Sequence, residues 1–444
     1  MRTKAIPALL CAGVISATLL SGITPAAAAE RASTAAAQDI RDQLEKIPGL
    51  TIVKVEDKGG FPLYTLSLTQ PVDHNKPWRG TFQQRFTLWH KATAKPVVHY
   101  TGGYNLSSST REPTTILDAN QLSVEHRYFI DSRPAPAVLD WDDLTVWQEA
   151  SDEHAIVEAI KPIYGKSKWI GTGGSKGGMT QTYHERYYPD DLDAVVAYVA
   201  PNDANNKDDR GYEKFFKTVG TPECRAALNA VQREMLVRRE AMLPKFEAMA
   251  KEQGLTFNNL GSTDRAYEFA VLDQVWNFWQ SGTAADCPTI PDAKTVSDDE
   301  LYKWSSEHGF SPYSDQDPGD ATSAPYYRQA AAQLGWADLK FKHLKDVRHY
   351  PDIYQPNSVL PADLRTEYDG RAIKDVDRWV STRGKHIMFV YGQNDPWSAE
   401  RFKPSKHDSY LYEVPGSNHG ARIANLPADE RAAAEATIKR WAGQ

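Results

Sequence analysis

The chain of 444 residues is longer than one small core requires, which implies two or three domains or one large domain carrying an insertion. Its 41% hydrophobic and 25% charged residues are those of an ordinary folded protein. A net charge of −7, with no basic tract, argues against nucleic acid as the main partner.

At the N-terminus, Arg2 and Lys4 precede a mostly apolar run from Ala5 to Leu20, and small residues follow at Ala26 to Ala29. That succession predicts an export signal over residues 1–29. No Arg-Arg pair precedes the run, which favours the general secretory route, and Leu10 before Cys11 argues against a lipid anchor. Residues 30–40, rich in Ala and Thr, read as a pro-segment or flexible N-terminus. No later apolar run is long enough to cross a bilayer. The mature protein is therefore expected to be secreted, extracellular, independent of membrane and monomeric.

Thr51 to Val55, Tyr64 to Thr69 and Thr81 to Trp89 are rich in β-branched and aromatic residues, and turn-forming stretches separate them. Their close spacing predicts antiparallel edge strands opening a mixed sheet. Pro96 to Tyr100 is a short buried strand running into Thr101-Gly102-Gly103-Tyr104-Asn105, and Leu122 to Tyr128 predicts a strand with a charged end at Glu125-His126-Arg127. A helix over Asp143 to Ile160, with apolar residues near helical spacing, leads to the strand containing Trp169 and Ile170.

That strand enters Gly171-Thr172-Gly173-Gly174-Ser175-Lys176-Gly177-Gly178-Met179. Gly173-x-Ser175-x-Gly177, between a strand and a helix over Lys176 to Tyr188, fits a nucleophile elbow that lifts a serine hydroxyl to the top of a sheet. The P-loop order Gly-Lys-Ser/Thr is absent, which sets aside a phosphate cradle. With a further strand at Asp193 to Val199, the rhythm implies parallel pairing with helices on both faces. The expected class is α/β, an α/β-hydrolase fold whose first part spans residues 41–204. In such a fold the loop after the third strand and the residue after the nucleophile supply the oxyanion-hole amides, here Gly103 or Tyr104 with Lys176.

From residue 205 to 377 the sequence turns helical and aromatic, which predicts a helical cap domain over the carboxyl ends of the strands. Trp276, Trp279, Tyr326 and Tyr327 in this region, with Trp147 before it, are candidates for the wall of a substrate pocket. In an oxidising compartment Cys224 and Cys287 are expected to form a disulfide. The sheet resumes in residues 378–444. His386 to Tyr391 is a buried strand followed by Asp395, and Tyr410 to Val414 is a strand followed by Ser417-Asn418-His419-Gly420. The helix Ala428 to Trp441 closes the chain. Ser175, Asp395 and His419 thus each follow a strand, in the chain order of an α/β-hydrolase triad. His407, Asp408 and Asp377 lack that placement. No clustered His, Cys and Asp pattern asks for a metal, and the chemistry needs no cofactor.

The runs Thr101 to Asn105, Glu125-His126-Arg127-Tyr128, Gly173 to Met179, Tyr391 to Asp395 and Ser417 to Gly420 together resemble the secreted prolyl tri- and tetrapeptidyl aminopeptidases, bacterial serine peptidases. A more distant similarity is to lysosomal Pro-Xaa carboxypeptidase and dipeptidyl peptidase II, which carry an aromatic residue where this chain has Lys176. The resemblance implies release of tripeptides, sometimes tetrapeptides, from free peptide N-termini, with proline before the scissile bond. Such an activity requires a group that holds the terminal ammonium. Glu125 and Asp203, at predicted strand ends, are the candidates, each with the alternative of a structural ion pair, and a residue of the cap is the further alternative. Two other readings stay open: a carboxylic-ester hydrolase with the same triad, and an inactive hydrolase scaffold that binds.

Overall fold

The structure, a computed structural model, describes residues 40–316 and 323–444. The expected export signal, residues 1–29, and the expected pro-segment up to residue 39 lie outside the described residues. Ile40 is already buried in the core beneath the sheet.

Nine strands form one sheet in the order β1-β2-β3-β5-β4-β6-β7-β8-β9. Strands β1 (Leu50–Lys58), β2 (Phe61–Pro71) and β3 (Thr81–Trp89) pair antiparallel with one another, and β3 pairs antiparallel with β5 (Asn120–Val124). From β5 onward every pairing is parallel: β4 (Val97–Thr101), β6 (Trp169–Gly174), β7 (Ala194–Tyr198), β8 (Ile387–Gly392) and β9 (Tyr410–Val414). The parallel half is covered on both faces, so its strands read as continuous apolar runs. Val97, Trp169, Val195 and Phe389 join one core cluster, while their neighbours Val98, Ile170, Val196 and Met388 join the cluster on the other face. The period of two along each strand accounts for that division.

The helices between β7 and β8 have a core of their own, which runs from Tyr212 to Val359 and includes Val231, Phe246, Tyr267 and Trp279. Cys224 and Cys287 form a disulfide within this layer. The stretch from Arg225 to Lys251, which reads as one amphipathic segment, is two helices, Pro222–Val237 and Arg239–Gln253, separated at Arg238.

A second difference bears on the site. Leu122 to Tyr128 predicts a strand to Tyr128, but β5 ends at Val124. The Glu125 amide still donates to Arg85 O at 3.0 Å, but the His126 amide turns to Tyr104 O at 3.0 Å, and Tyr128 turns the chain with φ of 71°.

Candidate active site

Ser175 sits between β6 and the helix Lys176–Tyr187, with φ of 54° and ψ of −128°. A side chain held at positive φ is a strained placement, and such strain collects at functional turns. The flanking glycines serve close approach. A Cβ on Gly173 would lie 2.3 Å from the carbonyl carbon of Gly177, and one on Gly177 would lie 2.2 Å from the Thr101 oxygen. The elbow and the loop after β4 therefore meet backbone to backbone. The amide of Ser175 donates to Tyr198 O at 2.8 Å, which fixes the turn to the end of β7.

Asp395 follows β8 and is fully buried. Its carboxylate accepts from the Trp397 amide at 3.1 Å, from Ser398 Oγ at 2.6 Å, and from His419 Nδ1 at 3.0 Å to each oxygen. With Nδ1–H directed at the carboxylate, Nε2 is left as the basic nitrogen of a neutral imidazole. His419 follows β9, and its loop is anchored from above. The His419 amide donates to Gln280 O at 3.2 Å, and Asn418 Nδ2 donates to Ser281 O and Gly282 O at 2.8 Å each, so carbonyls at the C-terminal end of the helix Thr263–Ser281 are capped by the histidine loop.

Ser175 and His419 line one cavity of about 190 Å³. Trp276, Tyr326, Tyr327, Trp336 and Trp397 wall it, and Asp273 also faces it. A smaller cavity shares Ser175, Tyr104, Tyr326, Trp336 and Trp397, and adds Lys176, Met179 and Asp203. Of the aromatic residues named from sequence, Trp276, Tyr326 and Tyr327 reach the site. Trp279 is instead buried in the core of the helical layer, and Trp147 packs edge-on against His74. Trp336 and Trp397 escaped sequence reading. Trp397 was findable, since it stands two residues after Asp395 on the same turn.

The three amides expected to face an oxyanion are not equivalent. The Gly103 N–H donates to Thr101 Oγ1 at 3.0 Å and is spent. The amides of Tyr104 and Lys176 have no acceptor among the described residues, so of the three these two are free to donate. Gly103 contributes shape: its φ is 75°, and a Cβ there would lie 2.7 Å from Lys176 Cγ.

The Lys176 side chain, as well as its amide, is engaged at the elbow. Nζ donates to Gly103 O at 2.8 Å, lies 3.8 Å from Glu149 Oε1, and faces the rings of Tyr104 and Phe129. Burial pushes its ammonium down to about 8, with Glu149 opposing that shift. Glu149 in turn pairs with His126 Nε2 at 2.5 Å. Burial alone would raise the Glu149 carboxyl, but the charges of His126 and Lys176 hold it low.

Glu125 is not a substrate contact. It is fully buried, paired with Arg85 at 2.8 Å, and accepts from the Leu106 amide at 3.1 Å and from Ser132 Oγ at 2.8 Å. Its charge is already paired with Arg85 and it lines neither cavity that holds Ser175, whereas Arg127 holds Asp152. The His126 amide donates to Tyr104 O at 3.0 Å. Glu125 and His126 thus brace the loop after β4 at Leu106 and Tyr104, while Arg127 turns to Asp152. Asp203 does reach the site: it is 7% exposed, lines the smaller cavity, and has an unpartnered Oδ2. Burial, then the like charges of Asp209 and Glu400, push its carboxyl up to about 8.

The profile of the PS-10 peptidase S37 family matches residues 33–444. Prolyl tri/tetrapeptidyl aminopeptidase of Streptomyces mobaraensis is 49% identical over 99% of this chain and 92% of its own length. Among solved structures, proline iminopeptidase of Mycobacterium smegmatis is 13% identical, with 85% of this chain and 98% of that one covered at a TM-score of 0.37. A proline iminopeptidase-related protein of Thermus thermophilus is 12% identical, with 89% and 99% covered, also at 0.37. Likeness at those scores adds nothing to what the strand order and the elbow already establish. Among the described residues no helix is long and apolar enough to cross a membrane.

Proposed function

Since this chain belongs to the PS-10 peptidase S37 family and is a serine peptidase of the α/β-hydrolase fold, we propose that it is exported and releases tripeptides from free peptide N-termini, with proline before the scissile bond. The observation that carries this reading is the 49% identity, end to end, with a relative named for prolyl tri/tetrapeptidyl cleavage. The site supports it. Trp336, Trp397 and Tyr326 border Ser175 in both cavities, and their apolar faces suit a proline ring. Export is supported by the pattern over residues 1–29 and by the Cys224–Cys287 disulfide, a bond that persists in oxidising compartments.

In this reading His419 Nε2 takes the proton of Ser175 as Oγ attacks the peptide carbonyl carbon. Asp395 holds the imidazole tautomer and supports the imidazolium that forms. The amides of Tyr104 and Lys176 receive the negative oxygen, whose stabilisation by a preorganised pair of donors is worth about 3 kcal/mol per donor in other acyl-transfer enzymes. His419 then hands its proton to the departing amine, and water hydrolyses the acyl-enzyme to free the short peptide. A residue-counting exopeptidase also needs a carboxylate for the terminal ammonium.

Product analysis tests the reading. Peptides with free and with acetylated N-termini, and with proline at successive positions, are digested and the products identified by mass. Release of tripeptides ending in proline, from free N-termini only, is expected; equal cleavage of blocked peptides excludes it.

A further inference from the structure

Asp273 is 3% exposed and faces the cavity that holds Ser175 and His419. Its carboxylate accepts from the Tyr313 hydroxyl, from the Tyr354 hydroxyl at 2.6 Å and from Asn277 Nδ2 at 2.6 Å. All three donors are neutral, and no Lys, Arg or His pairs with it among the described residues. Glu268 on the same helix, equally buried, has Arg239 as its ion partner. Burial raises the Asp273 carboxyl above its usual range, opposed only by those neutral donors. A cation arriving from the cavity would supply the missing countercharge, and a buried charge is stable only when paired.

The helix carrying Asp273 also sets a distance. Asp273, Trp276, Asn277 and Gln280 all line the cavity, at spacings of three, four and seven residues that place them on one face of the helix Thr263–Ser281. Gln280 is the triad end, since its carbonyl accepts the His419 amide. Seven residues of helix rise about 10 Å. Three extended peptide residues span about 10 Å, and a fourth adds roughly 3.5 Å.

We propose that Asp273 holds the terminal ammonium of the substrate, and that the helix Thr263–Ser281 measures off three residues between that ammonium and Ser175. The assignment rests on the exopeptidase reading above. It displaces Asp203, which shares the smaller cavity beside the elbow with Ser175, the Lys176 ammonium and Met179, and does not lie on the helix that leads away from the triad end.

The test uses Ala-Ala-Pro-p-nitroanilide with a free and with an acetylated N-terminus, on the full protein. Equal wild-type cleavage of both would end the exopeptidase reading itself, whatever Asp273 does. Where the wild type prefers the free substrate, Asp273→Asn is expected to lower kcat/KM for it at least 100-fold, chiefly through KM. The ratio of kcat/KM for free against acetylated substrate is expected to fall at least tenfold in Asp273→Asn, and Asp203→Asn keeps the wild-type preference. An Asp273→Asn protein that keeps the preference, or an Asp203→Asn protein that loses it, overturns the assignment. If Asp273→Asn shows no folding transition, Asp273→Glu takes its place: it keeps the charge one methylene away, so preference for the free N-terminus persists while kcat/KM falls at least tenfold, and an unchanged rate overturns the proposal. The ruler is read on the wild type alone. Ala-Ala-Ala-Pro-p-nitroanilide is expected to turn over at least tenfold more slowly than the tripeptidyl substrate, and equal rates refute a three-residue measure.

Discussion

Lys176 Nζ lies 2.8 Å from the carbonyl oxygen of Gly103, which ties the residue after the nucleophile to the loop after β4. In the proposed mechanism both oxyanion amides depend on that tie, because the Gly103 carbonyl belongs to the same peptide group as the Tyr104 amide. Lys176→Met keeps the amide and most of the buried volume but removes the donor. We expect kcat to fall roughly 10- to 100-fold, somewhat less than deleting an oxyanion donor outright. KM should stay within threefold, since ground-state contacts are untouched. An unchanged kcat would mean that the loop holds its place without the lysine.

The conformation of Ser175 makes a prediction about stability and activity in opposite senses. At φ of 54° a residue with a Cβ bears strain on the order of 1–3 kcal/mol, which glycine does not. Ser175→Ala and Ser175→Gly should both lose at least about 10⁴-fold in kcat, as triad members act as a unit. Ser175→Gly should nonetheless unfold at higher denaturant than Ser175→Ala, by about 1 kcal/mol. If the glycine variant is the less stable of the two, the elbow is not strained.

How far the site can be read in the sequence depends on what kind of fact is asked for. The placement of Ser175, Asp395 and His419 at one edge is legible because each follows an apolar strand, and strand ends of a parallel sheet converge on one edge. The roles of Glu125 and Lys176 are not. A charged residue at a strand end looks the same whether it meets a substrate or a buried partner. Here the partner of Glu125 is Arg85, forty residues away in sequence and adjacent only because β3 pairs with β5. Asp273 was hidden for a related reason. Nothing in an amphipathic helix tells which of its buried carboxylates has a cation and which faces a cavity, as the contrast with Glu268 makes plain.

Glu125→Gln separates the structural role from the substrate-binding one. The carboxylate is fully buried and Arg85 partly so, so its loss leaves the guanidinium with Asp131 as its one carboxylate partner among the described residues and weakens the bonds to Leu106 and Ser132. Loss of about 2 kcal/mol of stability is expected, below the roughly 3–5 kcal/mol seen when both partners are deeply buried. The ratio of kcat/KM for free against acetylated substrates should not move. A collapse of that ratio would restore Glu125 as an ammonium contact.

Asp203 predicts a pH dependence whose sign is set by the direction of its shift. Its carboxyl is pushed up to about 8 in the folded protein, by burial first and by Asp209 and Glu400 after it, whereas an unfolded aspartate titrates near about 3.9. Between roughly pH 4 and pH 8 the folded state keeps a proton that the unfolded chain has released, so this group's contribution to stability falls as pH rises through that window. The fall is at most about 1.4 kcal/mol per pH unit. Asp203→Asn cannot titrate, so denaturation of the variant and the wild type should diverge from about pH 5 to pH 8, the variant gaining by at least about 1 kcal/mol over that span. Gly335 fits the same picture: with φ of 90°, a Cβ there would lie 2.4 Å from the unpartnered Asp203 Oδ2, so the backbone closes over that oxygen and keeps water from it. A constant difference between the two proteins across that range would mean that Asp203 is ionised throughout, and that a cation reaches it.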